Sequence, residues 1–440
     1  MFRMFVVFFA AMVMFASPTY ANDDLKASID ADYEYLRALY EHLHTNPELS
    51  YQEKETSIRL ASELRSLGFE VTESVGGYGI VGVFENGDGP TVMIRTDMDG
   101  LPVEEMTGVV YASRALGLSD DGSPVPVMHA CGHDIHMTAF IGTARRLVSM
   151  KDEWSGTLLM IGQPAEERGA GARAMLEDGL FERFPRPDYN LALHTNSSLA
   201  AGDVGVVEGW ALANVDSIDI TVRGIGGHGA YPHTTKDPVV IASQIVLALQ
   251  TIISREISPQ EPAVITVGSF HAGLKHNIIS DEARLQLTVR SYTDQVRQQL
   301  LSAIERVAIN VGRAAGLPDE LLPVVEIRPE EYTPSTYNSP ELARRVSSAI
   351  RAAGAAENVL TVNPVMGGED FSRYGREEPL IPSFIFWLGG VDRAEVARYE
   401  AGEISLPSLH SPFFAPVPEP TIKTGVASMT SAALDLFAKP

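Results

Sequence analysis

Short apolar runs that each end in a cluster of polar side chains constrain the fold of this chain more than any other feature. Examples are Thr91–Arg95, Thr157–Ile161 and Tyr189–Leu193, and helical patterns lie between them. Strands that alternate with helices are typical of an α/β fold with a largely parallel sheet. Because ligands of such sheets bind beyond the carboxyl ends of the strands, we expect the polar clusters to meet at one edge.

The pattern changes near residue 214. Residues 214–328 contain alternating strand-like runs and two long helical patterns in the order β-α-β-β-α-β, which resembles a ferredoxin-like split-βαβ unit. We therefore predict a two-domain α/β protein, in which an α+β domain at 214–328 is inserted into a discontinuous catalytic domain, residues 22–213 and 329–440. Residues 23–68 are predicted to be helical.

The N-terminal residues have the pattern of a secretory signal peptide, residues 1–21. Arg3 supplies a positive charge, Met4–Ala16 is apolar, and Thr19–Ala21 offers a small-residue cleavage site. We predict cleavage after Ala21 and a periplasmic or secreted protein; an uncleaved anchor is the alternative. No later segment reaches the length expected of an apolar membrane span, so no membrane association is expected after cleavage.

Charge and cysteine content narrow the function further. With 57 acidic and 34 basic residues the formal net charge is −23, which argues against nucleic acid or anionic lipid as a partner. Cys131 is the only cysteine, so an internal disulfide is excluded. It lies in a loop rich in glycine and histidine, which favours a metal thiolate over an apolar core residue.

Five side chains that follow these runs have the chemistry of a metal site. Thiolate, imidazole and carboxylate bind transition metals, and five ligands exceed the three or four of a single catalytic zinc. Two divalent ions that share a ligand and a water fit better, and the ligand types admit zinc, manganese or cobalt. Glu166 would then be free to act as general base. The candidate ligands are Cys131, His133, Glu167, His194 and His410.

Taken singly, these residues have ordinary alternatives. Asp97 could belong to a solvated turn, and Glu166 with Glu167 could favour the positive end of a helix dipole. An isolated histidine such as His194 or His410 is more often structural. Three histidines and one cysteine within the eight residues 129–136 are harder to explain without metal or catalysis.

Four sequence motifs, and the order in which they follow one another, resemble the M20 metallopeptidase family, specifically its D subfamily. That subfamily comprises amidohydrolases such as hippurate hydrolases, N-acyl-amino-acid amidohydrolases and plant auxin-conjugate hydrolases. Gly100 and Ile225 depart from the family pattern, and neither is a candidate ligand. The matching segments are Arg95–Glu105, Met128–His136, Gln163–Glu167 and Gly226–His233.

The resemblance implies further roles. Cys131 is expected to bridge the two metals, and Asp97 to orient a ligand histidine. The inserted domain resembles the family's lid and dimerisation domain, which implies a homodimer or higher homo-oligomer. Its His228 is similar to a histidine that stabilises the oxyanion, often in the partner subunit's site. Asn277 and Arg290 resemble groups that hold the substrate carboxylate.

We therefore predict an exported, metal-dependent amidohydrolase that cleaves the amide bond of N-acyl or aryl-acyl amino acids. A dipeptidase or carboxypeptidase on the same scaffold is the alternative. Two further classes are a two-lobed binding protein, which needs no base beside its ligands, and a metal-storage protein or metallochaperone. The substitution Glu166→Gln separates storage from hydrolysis, because only a hydrolase would lose function.

Overall fold

The computed structural model describes residues 22–438. The predicted signal peptide lies outside these residues. The helices are α1 Asn22–Thr45, α2 Lys54–Ser66, α3 His133–Ser149, α4 Gly171–Glu177, α5 Leu180–Arg183, α6 Pro238–Arg255, α7 Asp294–Ala314, α8 Pro340–Ala352, α9 Ser372–Gly375, α10 Arg393–Glu400 and α11 Pro418–Phe437. The strands are β1 Glu70–Val75, β2 Gly79–Asn86, β3 Thr91–Asp97, β4 Leu116–Leu118, β5 Pro124–Pro126, β6 Gly156–Gln163, β7 Tyr189–Ala200, β8 Asp203–Val206, β9 Gly209–Leu212, β10 Asn214–Arg223, β11 Gly227–His228, β12 Ala263–Ala272, β13 Ile278–Ile279, β14 Glu282–Ser291, β15 Val324–Ile327, β16 Thr336–Asn338, β17 Asn358–Thr361 and β18 Ser383–Val391.

An eight-stranded sheet in the order β1-β2-β6-β3-β7-β18-β8-β17 forms the centre of the larger part. Its four middle strands, β6, β3, β7 and β18, run parallel to one another, whereas β2 and β8 pair with them in the antiparallel sense. The apolar core on one face includes residues of α1, α3 and α11, and that on the other face includes residues of α4 and α9. The predicted fold class, mainly parallel α/β with flanking helices, is confirmed.

A second, antiparallel sheet has the order β12-β14-β10-β15 and carries α6 and α7. This order is that of a split-βαβ unit, since β14 lies between β10 and β12, which α6 connects. The fully buried residues of its core, such as Ile220, Ile245, Leu285 and Ile304, all come from residues 218–317. The domain boundaries given above stay a prediction.

We expected no segment after residue 21 to be long and apolar enough to span a membrane, but helix α6 is. Its 18 residues are long and apolar enough by composition, and 33% of them are buried. Ile241, Ile245 and Leu249 pack into the core, as the inner stripe of a helix on a sheet does. On the outer side Val240 and Leu247 are exposed, Leu247 to 73%. The helix therefore serves the core and also presents an apolar surface.

The helical pattern at 23–68 is interrupted, so that expectation is wrong at residues 46–53. Helix α1 ends at Thr45 and α2 begins at Lys54. Pro47 lies in the break, where its ring and missing N–H disfavour a continuous helix. Tyr51 in the same loop has a positive φ of 66°, which a helix does not contain.

Candidate active site

The parallel strands bring the polar clusters to one edge of the large sheet, as predicted from the sequence. Strand β3 ends at Asp97 and β6 ends at Gln163, while His194 lies two residues beyond Ala192, the last β7 residue that pairs with β3. Helix α3 begins at His133, directly after Gly132, whose φ is 82°. A Cβ on Gly132 would lie 2.6 Å from the hydroxyl of Thr195, so only glycine fits this close approach.

Two groups of potential ligands share Cys131. The ligand atoms of Cys131, His133 and His194 lie within 4.8 Å of one another, and so do those of Cys131, Glu167 and His410. The Cys131 Sγ is 3.5 Å from His194 Nε2, and His410 Nε2 is 3.5 Å from a Glu167 carboxylate oxygen. Cys131 therefore belongs to both groups of potential ligands, and its bridging role stays a prediction.

Backbone contacts fix the orientation of the imidazoles. His133 Nδ1 lies 2.8 Å from the carbonyl oxygen of Asp99, and His194 Nδ1 lies 2.8 Å from that of Thr195. If these nitrogens donate, each Nε2 is left as the atom that can bind metal. His410 has a φ of 68° and donates its N–H to the carbonyl of Ala130, which ties it to the cysteine loop.

Unpaired buried atoms show that the cluster fits a metal pair. Within residues 22–438, His133 Nε2 and Glu167 Oε1 are buried without a hydrogen-bond partner. Such atoms are rare in folded proteins unless a ligand or ion completes them. Thiolate, imidazole and carboxylate match divalent transition metals, so these residues could hold two such ions.

The adjacent residues Glu166 and Glu167 lie in a turn and not in a strand. Ala165 has a left-handed conformation with φ 48°, and a 3-10 turn follows at residues 166–168. Glu166 reaches within 3.9 Å and Glu167 within 3.8 Å of His133 Nε2. The turn therefore brings both carboxylates to the cluster.

Burial makes the anionic forms of these groups costly. It raises the pKa of the Cys131 thiol well above its usual value, with help from Glu167 and Glu166. Burial and the neighbouring Glu369 and Glu167 raise the pKa of Glu166, and burial raises that of Glu167 to about 7. Divalent cations in the cluster would offset this accumulation of negative charge and favour the thiolate and both carboxylates.

Asp97 contacts a different histidine from the one expected to bind metal. His136 Nδ1 lies 2.7 Å from Asp97 Oδ1, and His136 Nε2 accepts the N–H of Thr195 at 2.8 Å. Both His136 nitrogens are thereby satisfied. The ligand candidate His133 is oriented by the Asp99 carbonyl instead, and its Nε2 lies 3.7 Å from Asp97.

Arg95 is the centre of a buried network of ion pairs and hydrogen bonds that the sequence alone does not predict. The guanidinium contacts Asp97 at 2.7 Å, Glu369 at 2.8 Å, Asp370 at 3.3 Å and Gln163 at 3.0 Å. One cation thus holds three carboxylates directly beneath the cluster. Glu369 and Asp370 follow Arg95 by more than 270 residues, so no local spacing signals the pairing.

His44 is a second buried group that the sequence did not single out. Its nitrogens lie 2.6 Å from Asp134 and 3.1 Å from Glu105. Burial alone would lower its pKa, but the two carboxylates raise it to about 10, so His44 is a cation at neutral pH. Since Asp134 follows His133, the pair ties the end of α1 to the start of α3.

A cavity of about 1030 Å³ opens onto the cluster. Arg290 reaches it from β14 of the second sheet. Leu212, Val365 and Trp387 supply apolar lining. The predicted site residues that line this cavity are Cys131, Glu166, Glu167, His194, His410 and Arg290.

His228 and Asn277 are not among the residues that line the cavity. They lie together, because β11 pairs with β13 and Gly229 donates its N–H to the Asn277 carbonyl at 2.9 Å. Both side chains are exposed. Within one subunit they therefore lie outside the lining of this cavity, and the roles given to all of these residues stay predictions.

Comparison with known proteins agrees with the geometry. Residues 93–411 match the model of peptidase family M20/M25/M40. The chain is 37% identical over 371 residues to thermostable carboxypeptidase 2 of Saccharolobus solfataricus, covering 83% of this chain and 88% of that protein. It is 34% identical over 345 residues to hippurate hydrolase of Campylobacter jejuni, covering 78% and 85%.

The fold also matches a solved structure of Bacillus subtilis YxeP, described as a dinuclear metal-binding peptidase of the M20 family. The TM-score is 0.74 at 29% identity, and the match covers 93% of this chain and 99% of that one. The predicted resemblance, the hydrolysis of amide bonds and the two-metal cofactor are confirmed, while the identity of the metal is not determined. The chain belongs to peptidase family M20/M25/M40 and is a metal-dependent amidohydrolase or peptidase.

Proposed function

We propose that the protein hydrolyses the amide bond of N-acyl or aryl-acyl amino acids. The observation that carries this proposal is one cavity that combines the ligand cluster, Glu166, the Arg290 guanidinium and an apolar wall. A carboxylate on the substrate suits Arg290, and an acyl or aryl group suits the apolar lining that Leu212, Val365 and Trp387 supply.

The chemistry of the proposal needs one base and one water. Two divalent ions held by the ligand cluster would supply Lewis-acid polarisation of the amide carbonyl and acidify the attacking water. Glu166 accepts the water proton at a carboxylate oxygen and donates it to the leaving amine nitrogen. The acyl carbon gains the hydroxyl as the C–N bond breaks, so the products are a carboxylic acid and a free amino acid.

Arg290 is well placed to bind a carboxylate. Its Nη1 donates to the carbonyl of Met366 at 2.8 Å and its Nε to the hydroxyl of Thr288 at 3.3 Å. These contacts fix the plane of the guanidinium and leave Nη2 for the substrate. Burial lowers the pKa of Arg290, but arginine remains charged at neutral pH, so the partly desolvated cation favours an anion beside it.

The test compares substrates that differ only in the carboxylate. We expect N-benzoylglycine to be cleaved by protein reconstituted with Zn²⁺, Mn²⁺ or Co²⁺, and Arg290→Met to raise its KM by ~10–100-fold, the worth of a hydrogen bond to a charged group. N-ethylbenzamide, which lacks the carboxylate, should be a poor substrate that both proteins cleave equally.

Two results would contradict the proposal. One is an equal loss for both substrates in Arg290→Met, because the guanidinium would then not recognise the carboxylate. The other is faster cleavage of dipeptides with a free amine than of acylated amino acids. That result would favour the peptidase alternative, for which Glu330 and Glu331 in the cavity lining would supply the anionic site.

We further propose that a second copy of the chain completes the site. His228 and Asn277 are exposed and outside the cavity of their own subunit, and the resemblance gives both a role at the site. The outer side of α6 and Leu274 near the end of β12, which is fully exposed, offer apolar surface for such a dimer. His228 would then donate to the oxyanion in the partner's site.

Complementation tests this arrangement. His228→Ala and Glu166→Gln should each be nearly inactive alone. After the subunits are mixed and exchanged, about a quarter of the wild-type activity should return, because a mixed dimer contains one site with both groups intact. If His228 acts within its own subunit, mixing restores nothing.

We also propose that the protein is exported. Support comes from the charged, apolar and small-residue pattern of residues 1–21.

A further inference from the structure

We infer that Glu53 is a positioning residue, which together with Asp99 holds the turn that carries Glu166 and Glu167 in its working conformation. This inference rests on the proposed function for the roles of Glu166 and Glu167. Glu53 lies in the loop between α1 and α2 and does not line the cavity. It would act only through the turn, not by touching the substrate.

Two carboxylates bind three consecutive backbone amides of this turn. Glu53 Oε1 accepts the N–H of Ala165 at 2.7 Å. Asp99 Oδ1 accepts that of Glu166 at 3.1 Å, and Asp99 Oδ2 accepts that of Glu167 at 3.0 Å. The amides at the start of this 3-10 turn have no partner within the turn, so the two side chains satisfy all three donors.

The turn needs this support because its first residue is strained. Ala165 has a φ of 48°, a left-handed conformation that is unfavourable for a residue with a Cβ. Strain of this kind persists only where neighbouring contacts enforce it. The left-handed residue turns the chain between the end of β6 and the two glutamates, so it sets the direction of both.

Glu53 is built into the interior for this contact. Its side chain is 0% exposed, and within the described residues its Oε2 has no hydrogen-bond partner. Burial and the nearby Asp99 raise its pKa to about 8. A fully buried carboxyl group is costly and is unlike the solvated acids on the surface of the chain. The same loop supports Asp99, whose Oδ2 accepts the Ser50 hydroxyl at 2.6 Å.

The experiment removes the Ala165 contact and measures both rate and metal binding. In Glu53→Ala we expect kcat to fall ~10–100-fold with KM changed less than about threefold, the size found for groups that orient metal ligands. In chelator competition, the dissociation constant of the weaker-bound ion should rise by a similar factor, because Glu167 is displaced. Glu53→Gln keeps an oxygen acceptor for the Ala165 N–H and should restore both quantities to within about fivefold of wild type.

Glu48→Ala is the matched control. Glu48 lies in the same loop and also accepts two backbone amides, those of Glu55 at 3.1 Å and Thr56 at 2.8 Å, but these belong to α2. It should lower thermal stability without changing kcat or metal affinity. If Glu53→Ala does not fold, the smaller change Ser50→Ala replaces it as the test. Ser50→Ala removes a hydrogen bond to Asp99 and should also lower kcat.

Three outcomes would overturn the inference. They are equal effects of Glu53→Ala and Glu48→Ala on kcat, unchanged metal affinity in Glu53→Ala, and failure of Glu53→Gln to restore either quantity. A wild-type protein that cleaves no acylated amino acid would contradict the proposed function instead. The metal-affinity comparison would still decide the role of Glu53 in that case.

Discussion

The variant Glu166→Gln should lose ~10²–10⁴-fold in kcat while it keeps its metal ions, the range typical of general acid–base groups. Glutamine preserves the size of the side chain but can neither accept the water proton nor deliver it to the leaving amine. Glu166 lies within 3.9 Å of His133 and belongs to a group of potential ligands with Glu167, so its carboxylate would lie beside a water bound to the metal pair. The test is to measure kcat and the metal content of the same preparation of the variant.

The exposed Glu182→Gln is the control and should behave like the wild type. If Glu166→Gln instead loses a metal ion, Glu166 is a ligand and another residue must be the base. Full activity in the variant would remove the general base from the proposal. A protein that binds two ions tightly with no turnover in any variant would be a metal store.

The second large effect concerns stability. Replacing Arg95 by Met should destabilise the protein by about 3–5 kcal/mol, because removing one partner of a buried ion pair leaves uncompensated charge. Arg95 is buried and forms ion pairs with Asp97, Glu369 and Asp370. The urea concentration at the midpoint of unfolding should fall accordingly, whereas Arg37→Met, which removes an exposed pair with Glu41, should change it little.

The loss of stability in Arg95→Met should depend on pH. Burial raises the pKa of Asp370 to about 7 although Arg95 lowers it, so this carboxyl destabilises the fold increasingly as pH rises above its unfolded value of 3.8. Without Arg95 the folded pKa rises further, and the penalty continues to grow above pH 7. The deficit relative to wild type should therefore be larger at about pH 8.5 than at about pH 5.5. A deficit that shrinks with pH would show that Arg95 does not compensate these acids.

Local patterns sufficed to predict the sheet and the convergence of the candidate ligands. Strand polarity alone implied that Asp97, Glu167 and His194 meet at one edge, and the structure brings them there. The inserted unit followed from the order of its strands and helices, which the sheet order β12-β14-β10-β15 matches. These features depend on periodicity within short windows, which a sequence displays directly.

The supporting contacts of the site could not be predicted, because they join distant segments through single atoms. Nothing near Arg95 indicates Glu369, and nothing near Glu53 indicates the N–H of Ala165. The break between α1 and α2 was passed over because leucine spacing continues on both sides of Pro47. The sequence did not indicate which histidine Asp97 contacts; its hydrogen bond is to His136, one turn after His133 on α3.

The place of β18 has a consequence for how the polypeptide matures. Residues 383–391 form a strand between β7 and β8, although the chain passes directly from one of those strands to the other within residues 189–206. During synthesis, the edge of β7 therefore stays unpaired until β18 is made, which happens only after the whole segment 214–328. An open apolar edge of this kind recruits chaperones or aggregates. The same delay would keep the chain unfolded for longer, which is compatible with the export proposed above.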